Sequence, residues 1–276
     1  MAQLLIGFLL STLVGGLSWR AKALKRSGAV AAALSGGLIF GLGGLNWAVL
    51  LLVFFISSSA LSRAFRRQKA PLGEKFSKGS QRDWGQVLAN GGLGTLLVIV
   101  QTAFPGAAWP WIAYAGAMAA VNADTWATEL GVLNPTPPRL ITTGKTVERG
   151  TSGGVSLLGS LASLAGAALI AICAIGLDFS GFPGARGWLA LGMAATLGGL
   201  AGSAFDSLLG ATVQAIYSCP TCQKETERHP LHSCGTPTWL LRGWRWLDND
   251  MVNFAASLMG ALMALGGWQL FRAFGI

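Results

Sequence analysis

The residues best suited to chemistry in this sequence are acidic side chains inside strongly apolar segments. Asp124 and Glu129 follow one apolar run, Asp206 lies near the end of another, and Asp250 opens a third. Charged side chains are costly in lipid and usually have a function there. A cluster of such oxygen ligands favours Mg²⁺, bound through carboxylates, water and substrate phosphates. The alternative is that these groups only form hydrogen bonds between helices.

A second feature is the polar segment 142–154, whose glycines, hydroxyls and cations suit an oxyanion. We expect it to lead into a helix at residue 153, where unpaired N–H groups and the helix dipole attract an anion. Lys145 adds positive charge, and Thr151 and Ser152 add hydroxyl donors. This segment is not a P-loop, because position 139 is arginine and no strand precedes it. The alternative is that Gly150–Gly154 only caps and packs the helix.

A third feature is a group of cysteines and histidines in the polar loop 212–248. Cys219, Cys222, His232 and Cys234 match a tetrahedral Cys₃His zinc site, with His229 as the alternative to His232. Four protein ligands leave no open position, so such a zinc would be structural. Free thiols or a disulfide are the alternatives, and an expected cytoplasmic position disfavours a stable disulfide.

The composition indicates which elements must position these groups. The 276-residue chain is 52% hydrophobic and only 11% charged, with a mean hydropathy of +0.54, which excludes disordered and collagen-like proteins. A transmembrane helix needs about 20 mostly apolar residues. We therefore predict one all-α integral-membrane domain over 1–276, a polytopic bundle of about eight transmembrane helices. The predicted spans are 2–18, 28–45, 46–62, 84–104, 108–130, 153–177, 187–211 and 249–271.

The basic residues predict the orientation of these helices. Every lysine and arginine except Arg186 and Arg272 falls in alternate loops, as the positive-inside rule expects of cytoplasmic loops. Both termini should then lie outside, and the net charge of +9 reflects topology and not nucleic-acid binding. In this orientation the acidic residues of several helices converge near the cytoplasmic face. No transit peptide is visible, which favours the plasma (inner) membrane of a bacterial-type cell.

Three motifs of the chain are Asn122–Gly131 (NADTWATELG), Gly144–Thr146 followed by Gly150–Gly154, and Asp250–Asn253. Together they resemble an integral-membrane family that includes plant phytyl-phosphate kinase. A weaker similarity extends to CTP-dependent phytol and dolichol kinases. The resemblance implies Mg²⁺-assisted phosphoryl transfer from CTP to a prenyl (phytyl-like) monophosphate in the membrane.

This resemblance and the residue chemistry together imply a set of site residues. The catalytic residues would be Asp124, Glu129, Lys145, Asp206 and Asp250, of which Asp124, Asp206 and Asp250 would hold Mg²⁺. The phosphate or nucleotide contacts would be Asn122, Thr151, Ser152, Gly153, Gly154 and Asn253. Because a phosphate monoester is already an anionic nucleophile, positioning and charge neutralisation carry such a reaction.

Two other functions compete with a kinase that uses membrane lipid, a prenyl phosphate and a nucleoside triphosphate. One is a transporter or flippase for a phosphorylated lipid or anion, and the other is a structural or assembly protein. A transporter should place polar groups near the midplane, reachable from both sides. The acidic residues instead cluster at one depth, which favours the enzyme.

Overall fold

A computed structural model describes residues 1–79, 81–177 and 184–274 and shows a mostly helical bundle. Its helices are α1 (Ala2–Arg20), α2 (Arg26–Ala64), α3 (Arg66–Lys69), α4 (Trp84–Ala103), α5 (Trp109–Gly131), α6 (Leu157–Leu177), α7 (Gly184–Thr212) and α8 (Asn249–Ala273). A 3₁₀ turn over Ala70–Leu72 follows α3. Among the described residues, six helices are long and apolar enough to cross a membrane, namely α1, α2, α4, α6, α7 and α8. The predicted helical membrane fold is therefore confirmed.

Helix α2 contains the boundary predicted between the second and third spans. As a straight helix its 39 residues would reach about 58 Å, well beyond a hydrocarbon core of about 30 Å. The helix is interrupted at Gly44, where φ is 75° and ψ is −163°, a conformation that glycine tolerates best. The Arg82 carbonyl accepts from the N–H of Lys25, and its guanidinium donates to Ser58. Both ends of α2 thus meet Arg82, so its two limbs run antiparallel.

Helix α5 lies at the centre of the bundle and contacts α2, α4, α6, α7 and α8. Every residue from Pro110 to Ala123 is buried, and the Tyr114 hydroxyl donates to the carbonyl of Trp47 at 2.7 Å. This helix forms where the span 108–130 was predicted, but it is not among the six helices apolar enough to cross a membrane. Because protein surrounds it, its small and polar residues avoid contact with lipid.

Three glycines bring α5, α7 and α8 into close contact. A Cβ added to Gly116 or Gly198 would lie 2.6 or 2.5 Å from the carbonyl oxygen of Gly260. Small residues of this kind let helices pack tightly in membranes. The contact lies about two helical turns from Asp124 on α5 and from Asp206 on α7.

The loops rich in lysine and arginine lie together at one end of the bundle. Lys75 pairs with Glu148, and Lys224 pairs with Glu74, which joins the last three of these loops. The first loop joins them through main-chain hydrogen bonds to Arg82. The basic loops therefore share one face, and its assignment to the cytoplasm stays a prediction.

Two small sheets fold loop segments that the all-α prediction left irregular. The strands are β1 (Arg139–Leu140), β2 (Gly154–Val155), β3 (Ile216–Cys219), β4 (Lys224–Thr226) and β5 (Trp239–Arg242). β1 pairs antiparallel with β2, so α6 begins at Leu157 and not at the predicted residue 153. In the loop 212–248 the antiparallel order is β4-β3-β5. This sheet contacts the segment 73–79, where Thr226 donates to the carbonyl of Glu74 at 2.6 Å.

Candidate functional site

A polar cavity of about 750 Å³ lies at the basic end of the bundle. Its walls come from helices α4 to α8, the end of α2, residues between 66 and 79 together with Arg82, the glycine-rich turn, and the residues Glu227 and Arg228 that follow β4. The predicted site residues that line it are Asp124, Glu129, Thr151, Ser152, Gly153, Gly154, Asp206 and Asn253. Its volume is typical of sites for small molecules and cofactors.

Three carboxylates face this cavity without a basic partner. They are Asp124, Asp206 and Glu227. None of them forms an ion pair in the described part of the chain, and Asp206 Oδ2 is buried there without a hydrogen-bond partner. They lie close enough for their negative charges to act on one another. Such unpaired charge fits a divalent cation.

The spacing of these carboxylates limits how they would hold that cation. Among the described residues, only the Cys/His group brings three or more potential ligand atoms within 4.8 Å of one another. A magnesium ion beside Asp124, Asp206 and Glu227 would therefore take part of its shell from water and phosphate oxygens. That is the usual coordination of Mg²⁺ at nucleotide sites.

Glu227 is fixed by hydrogen bonds from three segments. Its Oε1 accepts from the Ser152 hydroxyl at 2.7 Å and from the Gln214 amide at 3.0 Å, and its Oε2 accepts from the N–H of Ser77 at 3.2 Å. Burial raises the pKa of the Glu227 carboxyl, and these hydrogen bonds oppose that effect. The sequence holds no signal for this residue, because only the fold of the sheet brings it to the cavity.

Glu129 lines the cavity but its charge is already compensated. Its Oε1 accepts from Lys69 at 2.9 Å and from the Ser62 hydroxyl at 2.6 Å. The pair links α5 to the end of α2 and to α3. Glu129 therefore anchors the wall of the cavity through Oε1, whereas its Oε2 is buried without a hydrogen-bond partner in the described part of the chain. Its catalytic role stays a prediction.

Asp250 does not line the polar cavity, so its place in one Mg²⁺ site with Asp124 and Asp206 stays a prediction. Its side chain is bound by Lys78, which also donates to Asp83 Oδ1 at 2.8 Å. Asp83 in turn caps α4 by accepting from the N–H of Gln86 at 3.1 Å. Burial disfavours the charged form of Lys78, but the hydrogen bonds to both carboxylates leave its pKa raised. Lys78 thus neutralises Asp250 within the protein.

The glycine-rich turn lines the cavity, and one of its two predicted glycine amides already has a partner within the turn. The N–H of Gly154 donates to the carbonyl of Thr151 at 3.0 Å. Gly153, at φ 82°, packs so closely on Ala211 of α7 that a Cβ would lie 2.5 Å from that backbone nitrogen. The Ser152 hydroxyl is used by Glu227. Gly153 and Gly154 therefore line the cavity, and their predicted contact with phosphate stays a prediction.

The start of α6 is capped by side chains. The N–H of Gly159 donates to the Ser156 hydroxyl at 3.1 Å, and the N–H of Leu158 donates to Asn134 Oδ1 at 3.4 Å. These side chains cap the N–H groups of the first turn of α6. Because α6 begins at Leu157, the amides of Gly153 and Gly154 precede the helix and are not at its terminus.

Two more predicted residues lie outside the cavity. Lys145 is exposed on the turn that follows β1 and does not line the cavity. Asn122 is fully buried, where its Oδ1 accepts from Ser57 at 3.0 Å and its Nδ2 donates to the Gly166 carbonyl at 2.8 Å. Asn122 therefore joins α2, α5 and α6. The role predicted for Lys145 stays a prediction.

The positive charge of the cavity comes from six residues, and the basic charge of all but Arg149 in the segment 142–154 was attributed to membrane topology alone. They are Arg66, Lys69, Lys78, Arg82, Arg149 and Arg228. The four arginines form no ion pair with a carboxylate in the described part of the chain. Arg149 and Arg228 donate to the carbonyls of Asn134 and Gly73. Because guanidinium groups suit phosphate oxygens, these arginines are the candidate phosphate contacts.

A second, largely apolar cavity of about 300 Å³ lies beside the first, between α1, both limbs of α2 and α4. Arg82, Gln86 and Asn90 line both cavities. The Arg82 guanidinium donates to Ser58 at 2.9 Å and to Ser59 at 3.1 Å. It therefore lies where the polar cavity meets the apolar one, with neutral hydroxyls as its hydrogen-bond partners.

The four predicted zinc ligands come together at the end of the three-stranded sheet. They are Cys219, Cys222, His232 and Cys234, and one potential ligand atom from each lies within 4.8 Å of all the others. The sulfurs of Cys219 and Cys234 are 3.6 Å apart, and all of these cysteines are free. The alternative ligand, His229, instead stacks on Tyr217 with ring centroids 4.4 Å apart.

Comparison with known proteins assigns the chain to a family. The family model described as "Integral membrane protein DUF92" matches residues 9–261. The chain belongs to the DUF92 family. The family resemblance expected from the motifs is thereby confirmed.

Relatives of this DUF92 chain occur in plants and archaea. Protein PGR of Arabidopsis thaliana is 34% identical and covers 95% of this chain and 94% of its own length. An uncharacterized membrane protein of Methanocaldococcus jannaschii is 32% identical, over 76% of this chain and 82% of its own length. Protein VTE6, chloroplastic, of Arabidopsis thaliana is 27% identical, over 88% of this chain and 64% of its own length. No solved structure matches this DUF92 chain.

Proposed function

We propose that this DUF92 protein is a membrane-embedded kinase that transfers a phosphoryl group from CTP to a prenyl monophosphate. The observation that carries the proposal is the junction of the two cavities at Arg82. A polar chamber with unpaired carboxylates and guanidiniums adjoins an apolar chamber between membrane helices. That pairing fits an amphiphile with a phosphate head and a hydrocarbon tail, and the motif resemblance to the phytyl-phosphate kinase family supplies the reaction.

The proposed reaction requires positioning more than proton transfer. A phosphate oxygen of the prenyl monophosphate forms a bond to the γ-phosphorus, while the bond from that phosphorus to the β–γ bridging oxygen breaks. The products are a prenyl diphosphate and a nucleoside diphosphate. Because the nucleophile is already anionic, no residue has to remove a proton. The lack of histidine in the membrane helices, with both histidines in the loop 212–248, agrees with this.

The unpaired acids would bind the metal ion, and the unpaired arginines would bind the phosphates. Asp124, Asp206 and Glu227 are the residues that would hold Mg²⁺, which when bound neutralises phosphate charge. Arg82 would bind the prenyl phosphate, because it alone among the cationic residues of the described chain lines both cavities. The nucleotide phosphates would meet the remaining unpaired arginines, which are Arg66, Arg149 and Arg228.

A transporter for a phosphorylated lipid is the competing function. A carrier needs a site near the midplane that is reachable from both sides. The lining of the polar cavity comes instead from one end of the bundle, where the basic loops meet. This asymmetry favours chemistry at the membrane surface.

The test is an assay of the purified protein in nanodiscs with Mg²⁺ and γ-labelled CTP. Phytyl, geranylgeranyl and undecaprenyl monophosphates are supplied in turn, and products are resolved by thin-layer chromatography and mass spectrometry. We expect a labelled prenyl diphosphate from at least one of them. If ATP, GTP and UTP also fail as donors, and no prenyl diphosphate forms with any lipid, the proposal is wrong.

A further inference from the structure

We propose that Cys219, Cys222, His232 and Cys234 bind one Zn²⁺ that fixes the three-stranded sheet and thereby positions Glu227 at the polar cavity. The site lies outside the cavity itself. It is carried by the geometry of four side chains from two separate segments of the loop 212–248.

The spacing of the ligand atoms fits tetrahedral zinc. With a Zn–S bond of about 2.3 Å, tetrahedral geometry places two sulfurs about 3.8 Å apart. The sulfurs of Cys219 and Cys234 are 3.6 Å apart, far beyond the S–S distance of about 2.05 Å in a disulfide. His232 Nδ1 lies 3.2 Å from the sulfur of Cys234. All four ligand atoms fall within 4.8 Å of one another.

The backbone presents the first two cysteines as a metal-binding turn does. β3 ends at Cys219, and the N–H of Cys222 lies 3.5 Å from the Cys219 sulfur. Gln223 has φ 51° and its N–H donates to the carbonyl of Cys219 at 2.8 Å, which closes the turn before β4. Both sulfurs thus point to one side of a tight turn, and such a turn is typical of a Cys-x-x-Cys zinc ligand pair.

His232 supports the same interpretation from the other segment. His232 is only 3% exposed, and a buried imidazole is normally well hydrogen-bonded. Its Nδ1 contacts only sulfur and its Nε2 has no hydrogen-bond partner in the described part of the chain. A metal bond to the ring would account for burying an imidazole that conventional hydrogen bonds leave unsatisfied.

The hairpin between the cysteines and Glu227 is short, so the metal would determine where that carboxylate lies. β3 pairs with β4 in the register Cys219↔Lys224 and Tyr217↔Thr226, and Glu227 follows directly. The N–H of Glu227 donates to the carbonyl of Lys75 at 2.9 Å. With four protein ligands the zinc has no open position, so it would act by positioning and not by chemistry.

The experiment measures metal in the intact wild-type protein, independently of any kinase activity. Protein purified in detergent from zinc-supplemented cells should contain one zinc per chain by plasma mass spectrometry. Replacement with Co²⁺ should give the intense visible and thiolate charge-transfer bands of a tetrahedral sulfur-rich site. Less than about 0.2 zinc per chain with no such spectrum, or a Cys219–Cys234 disulfide found by mass spectrometry, would overturn the proposal.

Matched variants separate this site from the remaining cysteine. We expect Cys222→Ser to lower zinc content at least tenfold, and Cys173→Ser, in apolar α6, to leave it unchanged. A chelator such as phenanthroline should speed tryptic cleavage after Lys224 and Arg228 at least tenfold in wild-type protein. Cleavage that is unaffected by zinc removal would refute the positioning role, and the spectrum of the cobalt protein decides the metal site even where a variant fails to fold.

Discussion

Two groups of carboxylates lie at the same end of the bundle and differ in what surrounds them. Asp124 and Asp206 face a cavity together with Glu227, and none of the three forms an ion pair with another described residue. Asp250 and Asp83 instead share one lysine, Lys78. Similar depth in the membrane therefore does not give similar chemistry. The charges of the first group are therefore available to a ligand. The charges of the second group are used in ion pairs with Lys78 that join α4 to α8.

The largest expected effect follows from neutralising the unpaired group. We expect Asp124→Asn or Asp206→Asn to lower kcat about 10³-fold, or about 4 kcal/mol of transition-state stabilisation. The melting temperature should stay equal or rise, because each change removes an unpaired charge. Turnover of labelled CTP and thermal unfolding in detergent measure the two quantities. Glu148→Gln, at an exposed carboxylate outside the cavity, is the matched control and should keep full activity.

The junction between the cavities gives the next effect. Arg82→Gln should raise KM for the prenyl phosphate by about 10- to 100-fold, because a guanidinium bonded to phosphate is lost. KM for the nucleotide should change less than about threefold. Titrating each substrate in turn at saturating levels of the other measures the split. An equal rise in both constants would show that Arg82 does not distinguish the lipid from the nucleotide.

The paired group should respond in stability more than in catalysis. Lys78→Met leaves Asp83 and Asp250 without their shared partner, and we expect a loss of about 1–3 kcal/mol because these side chains are partly exposed. Denaturant or thermal unfolding in detergent measures it. Adding Asp250→Asn to this variant should recover part of the loss. A double variant that is less stable still would contradict the assignment of this pair as structural.

The smallest effect is expected at Lys145. Lys145→Ala should change kcat and KM by less than roughly twofold, since the side chain is exposed and lies outside the cavity. The assay that detects the loss in Asp124→Asn sets the scale. A tenfold loss of kcat in this variant would show that the turn carrying Lys145 belongs to the active site. It would also weaken the contrast between the unpaired and the paired carboxylates.

The bundle could be predicted from hydropathy and charge, including the break that separates the limbs of α2 at Gly44. The same reasoning placed Asp124 and Asp206 at the basic end of the bundle, where both line the polar cavity. Which partner each acid meets did not follow. Lys78 lies in a loop, and hydrophobic periodicity does not predict the conformation of a loop. Its ion pair with Asp250 could therefore not be predicted.

Glu227 and the arginines were missed for different physical reasons. Glu227 reaches the cavity only because β3 and β4 pair, and short strands in a polar loop leave little sequence signal. Arg82 and Arg228 belong to loops whose basic residues were explained by topology alone. A residue that satisfies the positive-inside rule can also bind a ligand. The topological explanation of these arginines therefore left their possible contact with a ligand unconsidered. In the glycine-rich turn the sequence left packing and ligand binding as alternatives, and Gly153 is shown to pack on Ala211 of α7.

The contact of Gly116, Gly198 and Gly260 has a consequence for how this protein tolerates change. Asp124 and Asp206 stand on rigid helices, about two turns from the point where the three backbones touch. The packing distance between these three backbones therefore sets the separation of the two carboxylates, at a contact that no substrate reaches. A methyl group added at one of these glycines would move the helices apart and increase the distance between the two carboxylates. Cation binding would then change although every polar side chain is intact.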